Sequence, residues 1–301
     1  MEILTDNLFR TTLGILLGAI VGSFLNVCAT RIPKGLSIVS PRSRCPGCNK
    51  KINWFNNLPV ISWLLLQGRA SCCEFKIPFR YFLVELFTAL VFGFMFLELD
   101  DFRNWGLLLS GMFFVSFLIV IIAVDYETMS IPDRFSIGGA LLGIFFSFSF
   151  PSLYGFSTEP IFFERMSAVF SGIIGLLVSS AILFWIGAIG EGLMRKEALG
   201  QGDVKMLGFV GAFCGWQGGL FVIFGGAVIG TTLLLPVIIY KKFSVGEISS
   251  NNKDRLDWGM EIPFGPFLGI AALFYFLGFR DFVDVWFDGI ISNFMHIFSI
   301  L

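Results

Sequence analysis

Long apolar runs closed at both ends by charges constrain this chain more than any other feature. Eight can be marked off: Thr11–Thr30, Tyr81–Leu99, Trp105–Val124, Phe135–Phe150, Met166–Gly190, Val204–Trp216, Leu220–Tyr240 and Pro263–Phe279, the sixth short and glycine-rich. A helix that crosses a bilayer needs about 20 predominantly apolar residues. Composition agrees: of 301 residues 55% are apolar and 14% charged, against roughly 45–50% and 25% in soluble domains. That excess is too large for one soluble core, and a mean hydropathy of +0.81 excludes a disordered or fibrous chain. A net charge of −1 supplies none of the basic field that nucleic-acid binders carry. The expected fold class is an all-α polytopic membrane protein of about eight transmembrane helices, with a small cysteine-containing cytoplasmic loop domain.

Lysine and arginine set the orientation. With the N-terminus outside, the inner segments are 31–80, 125–134, 191–205 and 241–262. They hold 17 of the 21 basic residues, nine, one, three and four in turn, and leave Arg10, Arg103, Arg165 and Arg280 outside. This is the asymmetry of the positive-inside rule, and the opposite topology violates it. Both termini are therefore expected outside. The first run is expected to be a retained anchor, because a signal peptide carries its positive charge ahead of the apolar core and here it follows. The expected organisation is a first membrane helix over 1–30, a cytoplasmic loop domain over 31–80, a seven-helix core over 81–280 and an outer tail over 281–301. In the tail, Asp281, Asp284 and Asp288 precede Ile290, Ile291, Phe294, Ile297 and Phe298, a spacing that suits an interfacial amphipathic helix. His296 is the only histidine. Nucleophilic triads built on His, and His-ligated metal catalysis, are thereby excluded.

The inner loop 31–80 is the one sizeable polar stretch. It contains Cys45-Pro46-Gly47-Cys48, then Gly68-Arg69, then the adjacent pair Cys72-Cys73. On a reducing face, a CxxC knuckle followed by two more cysteines fits a structural tetrathiolate zinc site, closed to substrate. A standard second knuckle would be another CxxC, and Ala70 stands where its first cysteine would fall. Cys72 can swing in as the fourth ligand, or three thiolates can hold the metal with another group, or the site can be empty. Cys28 and Cys214 lie in apolar runs and serve as small hydrophobes. The spacings Gly14/Gly18/Gly22, Gly138/Gly139/Gly143 and Gly225/Gly226/Gly230 mark close helix contacts.

Ionisable groups at membrane depth are costly and point to function. Three places qualify: Glu85, a turn inside the second run; Asp125 with Glu127 and Asp133; and Asp203 in Gly200-Gln201-Gly202-Asp203-Val204-Lys205. Asp125 ends the third run and Asp203 opens the sixth, so the topology gives them one depth. Two carboxylates brought close share a proton: one acts as base on water while the other, protonated, polarises a carbonyl. Peptide hydrolysis by such a pair needs neither histidine nor metal. Gly200 and Gly202 permit close approach of a substrate strand, and the dipole of the helix that opens at Asp203 favours its carboxylate. The plainer alternative makes Asp203 an N-cap, Asp125 a membrane-edge charge, and Glu85 with Arg80 a snorkelling pair.

The combination resembles the type IV prepilin peptidase family, the bifunctional leader peptidases and N-methyltransferases of pilus and type II secretion systems. The resemblance covers nearly the whole chain. It rests on Gly22-Ser23-Phe24-Leu25-Asn26-Val27 with Arg31 and Pro33, on the Cys45 knuckle, on Pro59-Val60-Ile61-Ser62-Trp63, on Gly68-Arg69, and on Ile77 with Arg80-Tyr81 and Val84-Glu85. It continues through Asp125 with Glu127 and Ile131-Pro132-Asp133, then Gly200-Gln201-Gly202-Asp203-Val204-Lys205, and Pro263-Phe264-Gly265-Pro266-Phe267. The resemblance implies that Asp125 and Asp203 are the aspartates of a GxGD-type protease. Such an enzyme cuts prepilins and pseudopilins after a glycine that ends a short basic leader, at the cytoplasmic face of the bacterial inner membrane. It then methylates the new N-terminal residue, usually Phe, with S-adenosylmethionine. The supporting residues expected are Glu127, Asp133, Glu85, Gly200, Gly202, Lys205, Gly68 and Arg69, with Glu127 and Asp133 contacting the leader. The zinc ligands expected are Cys45, Cys48, Cys72 and Cys73. The chain departs from the pattern in its second knuckle, Ala70-Ser71-Cys72-Cys73, where one cysteine has moved by two positions. A presenilin-like protease would carry its acidic pair deeper and a Pro-Ala-Leu element. An ion-coupled transporter would place its carboxylates near mid-bilayer. Neither accounts for the cysteine loop.

Overall fold

The computed structural model describes residues 2–40, 43–98, 105–155, 160–195, 199–244 and 263–300, with side chains for all of these except 2–6, 241–244 and 294–300. Of the residues that set the orientation, Arg42, Arg103, Lys196, Lys253 and Arg255 lie outside the described residues, as do Leu99 and the side chains of Lys241, Lys242 and His296.

The described residues form helices α1 (Glu2–Arg31), α2 (Ile61–Leu65), α3 (Phe79–Leu97), α4 (Trp105–Thr128), α5 (Asp133–Ser149), α6 (Ile161–Met194), α7 (Gln201–Ser244), α8 (Gly265–Phe274) and α9 (Arg280–Ile300), and no strand. Six stretches are long and apolar enough to cross a membrane: Asn7–Arg31, Phe79–Leu97, Trp105–Thr128, Ile161–Met194, Gln201–Tyr240 and Gly265–Asn293. The protein is thus an all-α, multi-pass membrane protein.

Six rather than eight has two causes. Helix α5 has 17 residues, about 26 Å at 1.5 Å per residue, slightly under a full span. Helix α7 contains both the sixth and seventh runs, broken at Gly215, whose φ of 72° and ψ of −179° are non-helical. No residue with a side chain adopts that conformation readily, so the glycine is where the chain turns. Beyond it, Gly218 packs on Tyr275, Gly226 on Leu268 and Gly230 on Phe267. The second half of α7 therefore runs antiparallel to α8, as two separate runs would require.

The tail is helical. A π-helical turn over Tyr275–Phe279 joins α8 directly to α9, so residues 280–293 continue the helix of the last stretch long and apolar enough to cross a membrane. Two charges at this junction, Arg280 and Asp284, are engaged. The Arg280 guanidinium donates to the Leu153 carbonyl and lies 3.7 Å from Asp284, and the Tyr275 hydroxyl sits 2.6 Å from Asp284 and 3.1 Å from the Cys214 carbonyl. Tyr154 donates to Ala212 O at 2.8 Å, completing a polar clasp at the Gly215 turn.

At the centre, Phe114 meets Phe209, Phe213 and Phe276 at ring distances of 5.2, 5.1 and 4.8 Å. Gly139 and Gly143 of α5 lie beneath Phe209 and Phe213. Helices α1 and α3 almost touch: a Cβ at Gly18 would stand 2.5 Å from the Thr88 carbonyl. Gly138, grouped with the contact glycines from its spacing, faces open space.

Candidate active site

Asp125 ends α4 and Asp203 opens α7, and both are buried, at 5% and 8% exposure. Asp203 lies within reach of the charge on Asp125. The element ends converge here. Ile131, in the α4–α5 connection, packs within 3.4 Å of a Cβ added at Gly202 and of one added at Gly265, and the Gly265 position also abuts Asp125 Oδ2. One turn into the bundle, Ile122 and Met206 meet across Gly269. Helices α4, α7 and α8 therefore bring the two carboxylates to one point. A Cβ at Gly200 would sit 3.4 Å from Asp203 Oδ2, and the Gly200 carbonyl accepts the Asp203 N–H at 3.1 Å. Asp125 Oδ2 is buried and has no hydrogen-bond partner among the described residues. A buried oxygen left so is costly unless a proton, water or substrate meets it.

The flanking charges are already paired. Lys205 Nζ lies 2.7 Å from Asp133 Oδ1, tying α7 to α5. Glu127 pairs with Arg80 at the start of α3. The alternative of an Arg80–Glu85 pair is thereby set aside. Arg80 reaches across to α4 instead, and Glu85 Oε2 accepts the Val60 N–H at 2.7 Å. Glu127 and Asp133, the expected leader contacts, are thus each a member of an ion pair.

The two cysteine segments prove to be copies of one another at an offset of 25 residues. Isolated bridges join Arg44 to Lys51 and Arg69 to Lys76. The N–H groups of Cys45 and Ala70 bond to the carbonyls of Lys50 and Phe75, and Asn49 and Glu74 share positive φ values of 58° and 55°. Ala70 therefore occupies the place of Cys45, and Cys72 that of Gly47. Despite the displacement, all four sulfurs lie within 4.8 Å of one another. Cys45 and Cys73 are 3.4 Å apart, Cys48 and Cys72 3.2 Å, and Cys72 and Cys73 3.9 Å. A tetrahedral zinc with bonds of about 2.3 Å separates its sulfurs by about 3.8 Å, so the cluster fits that ion. The Cys48 N–H foremost lowers the Cys45 thiol to about 6, while Cys72 is pushed up to about 12, chiefly by its hydrogen bond with Cys48.

Gly68, with φ +70°, ends the α2 turn, and a Cβ there would strike the Trp63 ring at 2.8 Å. Trp63 in turn stacks against Phe79 and Phe82 of α3 at 5.5 and 4.9 Å. Arg69 is exposed and lies 3.9 Å from Glu74. Gly68 and Arg69 thus shape and fasten the loop and do not reach the aspartates' end of α4 in any described contact. Sequence reasoning assigned no role to three participants. Gly265 carried a usable signal, a glycine set between Phe264 and Pro266 at a helix start. Ile131 and Val60 stood only as members of the segments Ile131-Pro132-Asp133 and Pro59-Val60-Ile61-Ser62-Trp63, apolar side chains with no task of their own until the fold places them.

For S-adenosylmethionine, whose chemistry joins a sulfonium to an amine, the fitting surface is rich in acceptors. Glu85, approached by Ser23 and Asn26 of α1, provides one, and Asn26 Oδ1 is buried with no partner among the described residues.

Fold and site together define a polytopic helical membrane protein with paired aspartates and a thiol cluster at one end of its bundle. Residues 16–99 match the Bacterial Peptidase A24 N-terminal domain, and residues 112–235 the Type IV leader peptidase family. The chain is similar to the prepilin leader peptidase/N-methyltransferase of Dichelobacter nodosus, 31% identical over 91% of this chain and 95% of that one. It is similar likewise to that of Pectobacterium carotovorum subsp. carotovorum, 31% identical over 87% and 90%. With the Myxococcus xanthus protein of the same name the identity is 35%, over 73% of this chain and 62% of that one. No solved structure matches. The chain belongs to the type IV leader peptidase family.

Proposed function

We propose that the protein removes the basic leader of prepilins and pseudopilins with Asp125 and Asp203 as its catalytic pair, then N-methylates the exposed residue. Membership of a family whose relatives are named prepilin leader peptidase/N-methyltransferase supports both activities. The single observation that carries the catalytic assignment is the convergence of two buried carboxylates under Ile131, with Asp125 Oδ2 unpartnered.

In hydrolysis, the ionised carboxylate takes a proton from a water molecule, and the oxygen so freed adds to the scissile carbonyl. The protonated carboxyl donates to the carbonyl oxygen, and collapse expels the amine, which leaves with a proton from the pair. The pair's titration belongs to both residues together. Gly265 sets backbone, not side chain, against Asp125, so the carboxylate is held close against the start of α8.

Cys45, Cys48, Cys72 and Cys73 would hold a zinc ion that fastens the loop without offering an open position. S-adenosylmethionine supplies the methyl group. The shared end of the bundle faces the cytoplasm in this reading, with both termini periplasmic, because that end collects the basic residues. The test is mass analysis of a leader-bearing prepilin incubated with the purified protein in lipid. Loss of the leader and a gain of one methyl are expected with the wild type. Cleavage by Asp125→Asn or Asp203→Asn near the wild-type rate would remove that residue from the mechanism.

A further inference from the structure

Glu85 stands apart from the aspartate pair and is left without a task by peptide hydrolysis. It sits on α3 facing α1, half-buried, and no cation pairs with it among the described residues. Its carboxylate accepts the Val60 N–H at 2.7 Å and is approached by the side chains of Ser23 and Asn26. Val60 presents that N–H at φ 62° and ψ −53°, with the Ile61 N–H bonded to the Pro59 carbonyl at 2.6 Å. This is a tight γ-turn with positive φ, a strained geometry that a β-branched residue rarely adopts. Strain of this kind persists where surrounding structure imposes it, as at ligand sites. Beside this turn, Trp63 packs edge-on against Phe79 and at a tilt against Phe82. Across from Glu85, Asn26 is 3% exposed. Its amide donates to the Tyr81 carbonyl at 3.0 Å, and its Oδ1 has no partner among the described residues. The site therefore holds a carboxylate with neutral donors but no counter-charge, beside an acceptor that is buried and unmet. A primary ammonium, with three N–H groups and a positive charge, complements it.

We propose that this pocket receives the new N-terminal ammonium of the cleaved substrate and that Glu85 removes its proton for methyl transfer, an assignment resting on the methyltransferase reading above. An ammonium has no lone pair to share, so the amine must lose a proton first. The proton passes from nitrogen to the Glu85 carboxylate. The freed lone pair then forms the nitrogen–carbon bond to the methyl group as the carbon–sulfur pair returns to sulfur. The product is a secondary ammonium that keeps its two remaining hydrogens, and Glu85 returns its proton to water. The position suits the sequence of steps, because Arg80, five residues before Glu85, is paired with Glu127, two residues after Asp125. One ion pair thus links the two carboxylate sites.

The test uses the full-length protein in nanodiscs and a hydrophobic peptide that begins with Phe, as the free amine and as its N-acetylated twin, without methyl donor. The wild type should bind the free amine about tenfold tighter, the worth of one charge-assisted hydrogen bond, and Glu85→Gln should bind the two alike. With donor and an uncleaved prepilin, Glu85→Gln should lose methylation about a hundredfold more than it loses cleavage. Equal binding of the two peptides by the wild type would overturn the proposal without any variant. So would a cleaving Glu85→Gln protein that methylates at the wild-type rate. A wild type that cleaves and never methylates would instead overturn the methyltransferase reading itself.

Discussion

Replacing Gly265 by alanine tests whether the aspartate pair depends on backbone packing. A Cβ at that position would stand 2.5 Å from Asp125 Oδ2 and 3.1 Å from its Cγ. Ordinary contact begins near 3.4 Å, so the carboxylate must retreat by about 0.9 Å, and Ile131, itself 3.4 Å from the added atom, closes one direction of escape. A misplacement of about 1 Å in a catalytic group costs on the order of a hundredfold in rate, or about 2.7 kcal/mol of barrier. Stability should move little. Gly265 is the first residue of α8, where exchange to alanine favours the helix by up to about 1 kcal/mol and offsets part of the local crowding. The expected outcome is therefore a cleavage rate reduced about a hundredfold with a melting temperature near that of the wild type. Turnover measured by mass spectrometry on a prepilin in nanodiscs, beside thermal unfolding, reads both. Gly138→Ala, which meets open space, is the matched control and should change neither. A Gly265→Ala enzyme that cuts within about threefold of the wild-type rate would refute the argument that Asp125 is positioned by the backbone of α8.

Further outcomes follow from the loop and the ion pairs. Cys72→Ala should lower bound zinc well below one equivalent and loosen the loop, as seen by metal analysis and hydrogen exchange over 43–77. Unchanged zinc would show that three thiolates suffice. Because Cys45 is lowered to about 6 and Cys72 raised to about 12, zinc uptake at about pH 8 should displace protons from Cys72 but not from Cys45, so affinity should climb as pH rises through that range. Calorimetry in buffers of different ionisation enthalpy reads the count. Asp133→Asn breaks a half-exposed pair with Lys205 and should cost under about 1 kcal/mol of stability. A larger loss in binding of a basic leader than in turnover would make Asp133 a leader contact, and unchanged binding would not.

Much of this was legible in the sequence because membrane chains write their topology in charge. Seventeen basic residues assigned to one side placed Asp125 and Asp203 at one depth, and the fold brings their helix ends together. The zinc cluster was half legible: spacing marked Cys45 and Cys48, yet it could not say whether Cys72, standing at the Gly47 position, still reaches the other sulfurs. That depends on side-chain direction within the turn, which spacing does not carry. The partner of Arg80 stayed open for a similar reason. Proximity in sequence offered Glu85 as one alternative, whereas the closure of α3 on α4 delivers Glu127. The sixth and seventh runs were divided between Trp216 and Leu220, beside the turn the structure makes at Gly215, although spacing does not say that a single glycine with positive φ makes it.

The order of the two reactions follows from chemistry and fits the layout. Methyl transfer needs an amine, and that amine does not exist until the leader bond is cut. The amine appears at the aspartate pair, where α4, α7 and α8 converge, and its acceptors stand on α1 and α3. The match over 16–99 falls on α1 and α3, and that over 112–235 falls on α4 and α7. In the proposed reading, the contact between α3 and α4 near Arg80 and Glu127 is where the product of one group becomes the substrate of the other. Breaking that pair by Arg80→Gln should leave each reaction possible on its own substrate while uncoupling them, so that cleaved but unmethylated product accumulates from an intact prepilin. Methylation that kept pace with cleavage in Arg80→Gln would show that the amine reaches Glu85 without that contact.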